Sequence, residues 1–134
     1  MTQDEFITAV HSRKHTLRQL RRKLEALPAS GRFAVLIRIF ADSSRAQDAF
    51  GDQEYAGRLL VELRPSPHQP LDEIIRAVLP TWNVSVEQLP FFLADTFGAD
   101  EVTRTSSRLE ADYPADSREQ RSLDTIRWWI SGKS

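Results

Sequence analysis

The chain carries the same helix start twice: Ser85-Val86-Glu87-Gln88 and Ser117-Arg118-Glu119-Gln120, 32 residues apart, each followed by an apolar run that stops at a glycine. A serine at the N-cap accepts from the N3 amide while a glutamine at N3 reaches back to the N-cap amide, so two orphan donors are satisfied at once. Gly98 and Gly132 stand where a left-handed C-terminal cap would stand. The pattern predicts helices joined by short turns. Its spacing falls within the range of helical repeats, in which each unit buries its apolar face against the next.

Hydrophobic periodicity extends this reading along the chain. Phe6, Val10, Leu17, Leu20, Leu24 and Leu27 follow a three-four spacing that predicts one long amphipathic helix from Asp4 to Leu27, stopped by Pro28; Arg13 alone interrupts its stripe. On the other face His11, His15, Arg18 and Arg22 recur at intervals of four, three and four, a basic ridge flanked by Lys14 and Arg21. A helix of that length leaves apolar seam to spare, either to span two neighbouring helices or to pair with another chain, so the first helix offers a route to a homo-oligomer.

Residues 32–42 are apolar all round and read as a central buried helix, with a buried strand as the alternative that periodicity leaves open. Ser44-Arg45-Ala46-Gln47 offers a short helical turn ending at Gly51, and a helix is expected over Asp52–Leu63. Pro65, Pro67 and Pro70 make an extended connection, after which Leu71, Ile74, Ile75, Val78 and Leu79 define a core face ended by Pro80. Pro90 conflicts with the Ser85 cap, because it lacks an N–H and crowds the carbonyl of Val86; the helix expected over Val86–Phe97 is therefore kinked early. A more polar helix over Asp100–Asp112 and a last one over Arg118–Ser131 complete the expectation.

At 134 residues the chain is read as one helical domain, large enough to fold without staples. It has no cysteine, which excludes thiol chemistry, thiolate zinc and disulfides and fits a cytoplasmic setting. The start of the chain does not read as a signal peptide, and the longest uncharged stretch, Ala77 to Val86, is far short of a bilayer span. A formal charge of -1 conceals an asymmetry. Residues 1–38 carry eight Arg or Lys and three acids, net +5, while residues 39–134 carry ten and sixteen, net -6. The two parts either pack on each other or present a charged face to a partner.

No constellation announces catalysis, a metal or a cofactor. His11 and His15 have the spacing of two ligands on one turn, but Arg13, Lys14 and Arg18 surround them and oppose a dication. Asp95, between Leu93 and Phe97, is the one carboxylate in apolar company; Thr105-Ser106-Ser107 lacks a nucleophile elbow. Trp128 points away from the stripe of Leu123, Ile126 and Ile130, with Trp129 at its edge. Such a tryptophan either packs beneath a neighbouring segment or anchors an interface.

Leu71 to Gly132 resembles successive helical hairpins of the HEAT-like superhelical class, on its helix lengths, short turns, the 32-residue echo and Leu-Asp-Thr-Ile-Arg-Trp-Trp-Ile at 123–130. The resemblance implies an all-α fold of six to seven helices in stacked antiparallel hairpins, HEAT-like or an orthogonal bundle. It implies interaction rather than catalysis. The expected function is a non-enzymatic protein-interaction module of bacterial type, an immunity- or antitoxin-like inhibitor or an adaptor, using Arg18, Arg22, His11, His15 and Trp128 toward a protein partner. The alternatives are a nucleic-acid-associated regulator using the basic ridge, and a small hydrolase or lyase built on Asp95. No membrane association is expected.

Overall fold

A computed structural model describes the backbone of residues 1–133 and the side chains of residues 1–132. Eight α-helices and no strand occur among the described residues: α1 Gln3–Ser12, α2 Leu17–Glu25, α3 Ala29–Phe40, α4 Ala49–Leu63, α5 Leu71–Val78, α6 Gln88–Phe97, α7 Ala99–Leu109 and α8 Arg118–Lys133. Two 3-10 turns, Ser43–Arg45 and Glu110–Asp112, lie before α4 and after α7. The all-α expectation holds, and of residues 32–42 the part up to Phe40 is helical, α3 starting earlier at Ala29 and ending before Ala41. The count exceeds six to seven because the first helix is two helices.

The break has a local cause and a distant one. Thr16 caps α2 with a complete box: the Gln19 amide donates to Thr16 Oγ1 at 3.1 Å, and the Thr16 amide donates to Gln19 Oε1 at 2.9 Å. Thr2 and Glu5 repeat the arrangement at the start of α1. Between the two helices Arg13 turns the chain in the left-handed region, φ 59° and ψ 18°, at a cost of about 1–2 kcal/mol for a residue with a side chain. Its guanidinium offsets that cost by bonding to the carbonyls of Val10 and Asp48 and by pairing with Asp52 on α4. Phe6, Val10, Leu20, Leu24 and Leu27 are all buried within the chain. The long seam from which self-association was expected is not presented.

The remaining helices pack in alternation. α3 lies on α4 and α7 on α8; α3, α5 and α7 touch in succession, as do α4, α6 and α8, and α6 also packs on α7. α5 and α6, neighbours in sequence, make at most a marginal contact. Phe33 stacks on Phe92 at 5.7 Å between ring centroids, tying α3 to α6. Fully buried Leu59, Leu60, Ile75, Leu93, Leu123 and Ile126 belong to the same core, each contributing about 1.5–3 kcal/mol by leaving water. Gly57 lets α4 and α6 approach, since a Cβ there would sit 2.9 Å from Gln88 Cβ.

The proline wins its contest with the Ser85 cap. α6 begins at Gln88, so Pro90 occupies the first turn, where no amide is required, and the Ser85 amide donates to Asn83 Oδ1 in the preceding turn. The α5–α6 connection is built inward instead: Trp82 is fully buried with its indole N–H on the Val86 carbonyl, and buried Gln53 donates to the Thr81 carbonyl and accepts from the Asn83 amide. Ser117 does cap α8, accepting from the Gln120 amide. Its Gln120 side chain turns away to the carbonyls of Glu110 and Tyr113, so the box is half formed. Gly98, at φ 95°, ends α6 and starts α7, whereas Gly132 lies inside α8 and caps nothing.

Candidate interaction surface

α8 buries Leu123, Ile126 and Ile130 against α6 and α7, and this stripe decides where its two tryptophans go. Trp129, at the stripe's edge, is partly buried; its indole N–H donates to the Val84 carbonyl at 2.9 Å and its ring meets Phe91 edge-on at 6.0 Å. Trp128 is 64% exposed, the most exposed of the large apolar side chains among the described residues. Its ring stands edge-on to Trp129 at 4.7 Å between centroids. A fixed aromatic therefore supports an exposed one, which lowers the entropy lost when Trp128 is covered.

A groove of about 390 Å³ runs beside Trp128 between α7 and α8, lined among others by Asp100, Thr103, Asp124 and Arg127. Arg127 bridges Glu110 and Asp124, so one cation serves two carboxylates. Asp100, in the first turn of α7, has no hydrogen bond or ion pair to any described side chain. Trp128 thus sits on an acidic margin.

The other residues expected to bind a partner are dispersed by the break between α1 and α2. Arg18 and Arg22 lie one turn apart on the exposed face of α2, with no ion pair to a described residue. His15 belongs to the turn, its Nδ1 3.4 Å from Ser12 Oγ. His11 is on α1 and faces inward, with Nε2 3.6 Å from Asp52 Oδ2 and 4.0 Å from Asp42 Oδ2. The continuous ridge of His11, His15, Arg18 and Arg22 does not form, because a left-handed residue stands in its middle.

His11 instead belongs to an ionic junction around one buried carboxylate, Asp52. Asp52, 2% exposed, receives Arg13 Nη1 at 2.7 Å on Oδ1 and Arg45 Nε at 3.2 Å on Oδ2. The Arg13 approach is too oblique for a hydrogen bond, leaving Oδ1 with a charge partner and no donor; His11 Nε2 likewise has none. The bond to Asp52 holds the Arg45 guanidinium more basic than usual. The Ser44 hydroxyl, 2.6 Å from Asp42 Oδ1, holds that carboxyl below its ordinary range, with the Ser44 amide, His11 and Arg45 adding to the effect. Arg13 also covers Tyr55 at 5.6 Å from the ring and lies across Gly51, where any Cβ would collide with the guanidinium. The signal for this junction was Arg13 itself, a cation set in an apolar stripe.

Opposite charges on the two parts of the chain meet in Arg13–Asp52 and Arg21–Glu62, so part of the asymmetry is consumed by internal packing. Asp95 is exposed on α6 rather than enclosed. Ser106 is buried with its hydroxyl donating to the carbonyls of Val102 and Thr103, which removes it as a nucleophile. Among the described residues no group of three or more His, Cys, Asp or Glu is disposed to hold a metal ion, and no helix is long and apolar enough to cross a membrane. No protein-family model, curated protein or solved structure matches the chain.

Proposed function

We propose that this chain is a non-enzymatic protein-interaction module, an inhibitor of the immunity or antitoxin kind or an adaptor, working in the cytoplasm. The observation that supports the reading is Trp128: a large aromatic, mostly in water, braced by a tryptophan that is itself hydrogen-bonded. Tryptophan is enriched among residues that dominate binding energy. The scaffold proposed for it is a short stack of helical hairpins, a reading supported by the successive contacts of α3, α5 and α7 and of α4, α6 and α8. The test is a pull-down from the native host with wild type and Trp128→Ala. Loss of a partner by a folded variant supports the reading; retention of every partner overturns it.

A second reading, association with nucleic acid, is favoured by Arg18 and Arg22, which face solvent together on α2. Two cations one turn apart neutralise phosphates without reading sequence. Replacing both with glutamate would abolish binding to duplex DNA or RNA in a mobility-shift assay if that reading holds, and leave it unchanged if it does not.

A further inference from the structure

The chemistry of the margin around Trp128 narrows the kind of segment it fits. We infer that the groove between α7 and α8 receives an arginine or lysine side chain of a partner protein, with the cation over the Trp128 ring and toward Asp100 and Asp124. This inference rests on the reading of Trp128 as an interface anchor and specifies what the anchor meets.

Three observations carry it. Trp128 lines the groove with its ring exposed, and an indole face is the strongest of the aromatic platforms for a cation. Two carboxylates, Asp100 and Asp124, line the groove against the single guanidinium of Arg127, which Glu110 also engages from outside it, so the described lining is net negative. Asp100 is free of any described partner, although the positive end of α7 makes its charge comfortable there. The groove is also of a size to enclose one long side chain, and an alkyl stem can lie on Ala99 and Ile130 while its head reaches the carboxylates.

The same features argue against other occupants. Phosphates of a nucleic acid or a lipid headgroup would be repelled by Asp100 and Asp124. A purely apolar segment would bury those carboxylates without compensation. Arg18 and Arg22 of a second copy have the right sign, and that occupant is an outcome of the test.

The probe is a synthetic twelve-residue peptide, three repeats of Gly-Arg-Gly-Ser, compared with the same peptide carrying citrulline, the neutral isostere, in place of arginine. Binding is followed by the indole N–H signals of the three tryptophans, at low and moderate salt. The arginine peptide is expected to shift the Trp128 indole and to bind less tightly as salt rises. Its affinity should fall about tenfold in D100N/D124N and again in Trp128→Ala, variants whose melting shows that they remain folded. Equal shifts by the citrulline peptide, or unweakened binding by the double carboxamide variant, overturn the inference. So does concentration-dependent self-association that moves the same indole without peptide, since the occupant is then a second copy. If the pull-down depends on Trp128 while the arginine peptide leaves its indole unmoved, the cation inference alone falls. If the peptide binds as expected but no partner depends on Trp128, the interaction reading falls instead.

Discussion

Arg13 Nη1 lies 2.7 Å from Asp52 Oδ1, joining the left-handed residue that ends α1 to a carboxylate buried on α4. The pair explains why a cation interrupts an apolar stripe and why the chain turns there. Replacing Asp52 with Asn keeps the shape but takes from Arg13 and Arg45 their shared buried partner; both cations keep contact with water and Arg45 keeps Asp48, so the cost is about 1–2 kcal/mol. Asp52→Asn should lower the melting temperature by on the order of 5 °C. Arg13→Met with Asp52→Leu, which removes both charges, should recover part of that loss. A single Asp52→Asn variant that melts like wild type would show that the junction contributes no stability.

Thr16→Ala removes one half of the box that starts α2 and should cost about 1 kcal/mol. The loss should appear in hydrogen exchange as faster opening of α2 than of α6. Ser85→Ala is the contrasting case. The Ser85 side chain caps no helix, so its denaturation midpoint should stay within about 0.5 kcal/mol of wild type.

The contrast between those two residues shows what the sequence made legible. Ser85 and Thr16 stand at the head of similar polar patterns, and only context separates them. Pro90 overrules Ser85, because a helix begun there would place the proline at its fifth position, where it has no amide for the Val86 carbonyl, whereas nothing after Thr16 opposes its box. Reading Thr16-Leu17-Arg18-Gln19 as a start would have divided the first helix correctly; the unbroken leucine spacing concealed it. Apolar periodicity placed most helices well because burial of one face is a local pattern. Arg13 alone hinted at the ionic junction; its partners were not legible, since Arg13, Arg45 and Asp52 meet only after the end of α1, the turn at Ser43–Arg45 and α4 come together. The exposure of Trp128 was legible in angle, from its position off the stripe of α8. Whether a neighbouring segment covered it depended on tertiary packing.

Gly57 should tolerate no side chain. A Cβ at that position meets Gln88 Cβ at 2.9 Å, at the start of α6, and Val86 Cγ1 at 3.1 Å in the segment before it, atoms too close to the backbone to swing aside. Gly57→Ala should therefore destabilise by about 1–3 kcal/mol despite the better helix propensity of alanine. Gly132→Ala is the control, because nothing lies within 4 Å of its Cβ. That substitution should be neutral or stabilising by up to about 0.5 kcal/mol. Chemical denaturation of both variants checks the difference in sign.

Acid should weaken the junction through Asp42. The Ser44 hydroxyl, foremost, holds this carboxyl below its ordinary value of 3.8, while partial burial opposes the shift. A carboxyl depressed in the folded state binds its proton more readily when unfolded, so stability rises with pH across the interval. The contribution is complete above 3.8 and is lost as pH falls through the lowered folded value. Ser44→Ala should accordingly be less stable than wild type at neutral pH, with the gap closing as the solution is acidified toward about pH 2. Denaturation midpoints across that range measure the gap; a constant difference at every pH would remove Asp42 from the account.

The three tryptophans provide the last test, because the fold gives each a different environment. Trp82 is fully buried on the Val86 carbonyl, Trp129 is half-covered and bonded to Val84, and Trp128 stands largely in water. Acrylamide should quench Trp128 first, and Trp128→Phe should abolish the readily quenched component of the emission. That variant loses little buried surface, so its stability should lie within about 0.5 kcal/mol of wild type. Trp129→Phe deletes the bond to Val84 and a donor-bearing ring edge, at about 1 kcal/mol. Trp82→Ala empties a core site and should cost about 3–5 kcal/mol. The order of stabilities, with Trp128→Phe highest and Trp82→Ala lowest, follows from burial, from the Trp129 bond to Val84 and from how much of each ring is removed. A Trp128→Phe protein that melts with the Trp82 variant would mean that Trp128 holds the fold together, and the exposed ring would lose its standing as a surface anchor.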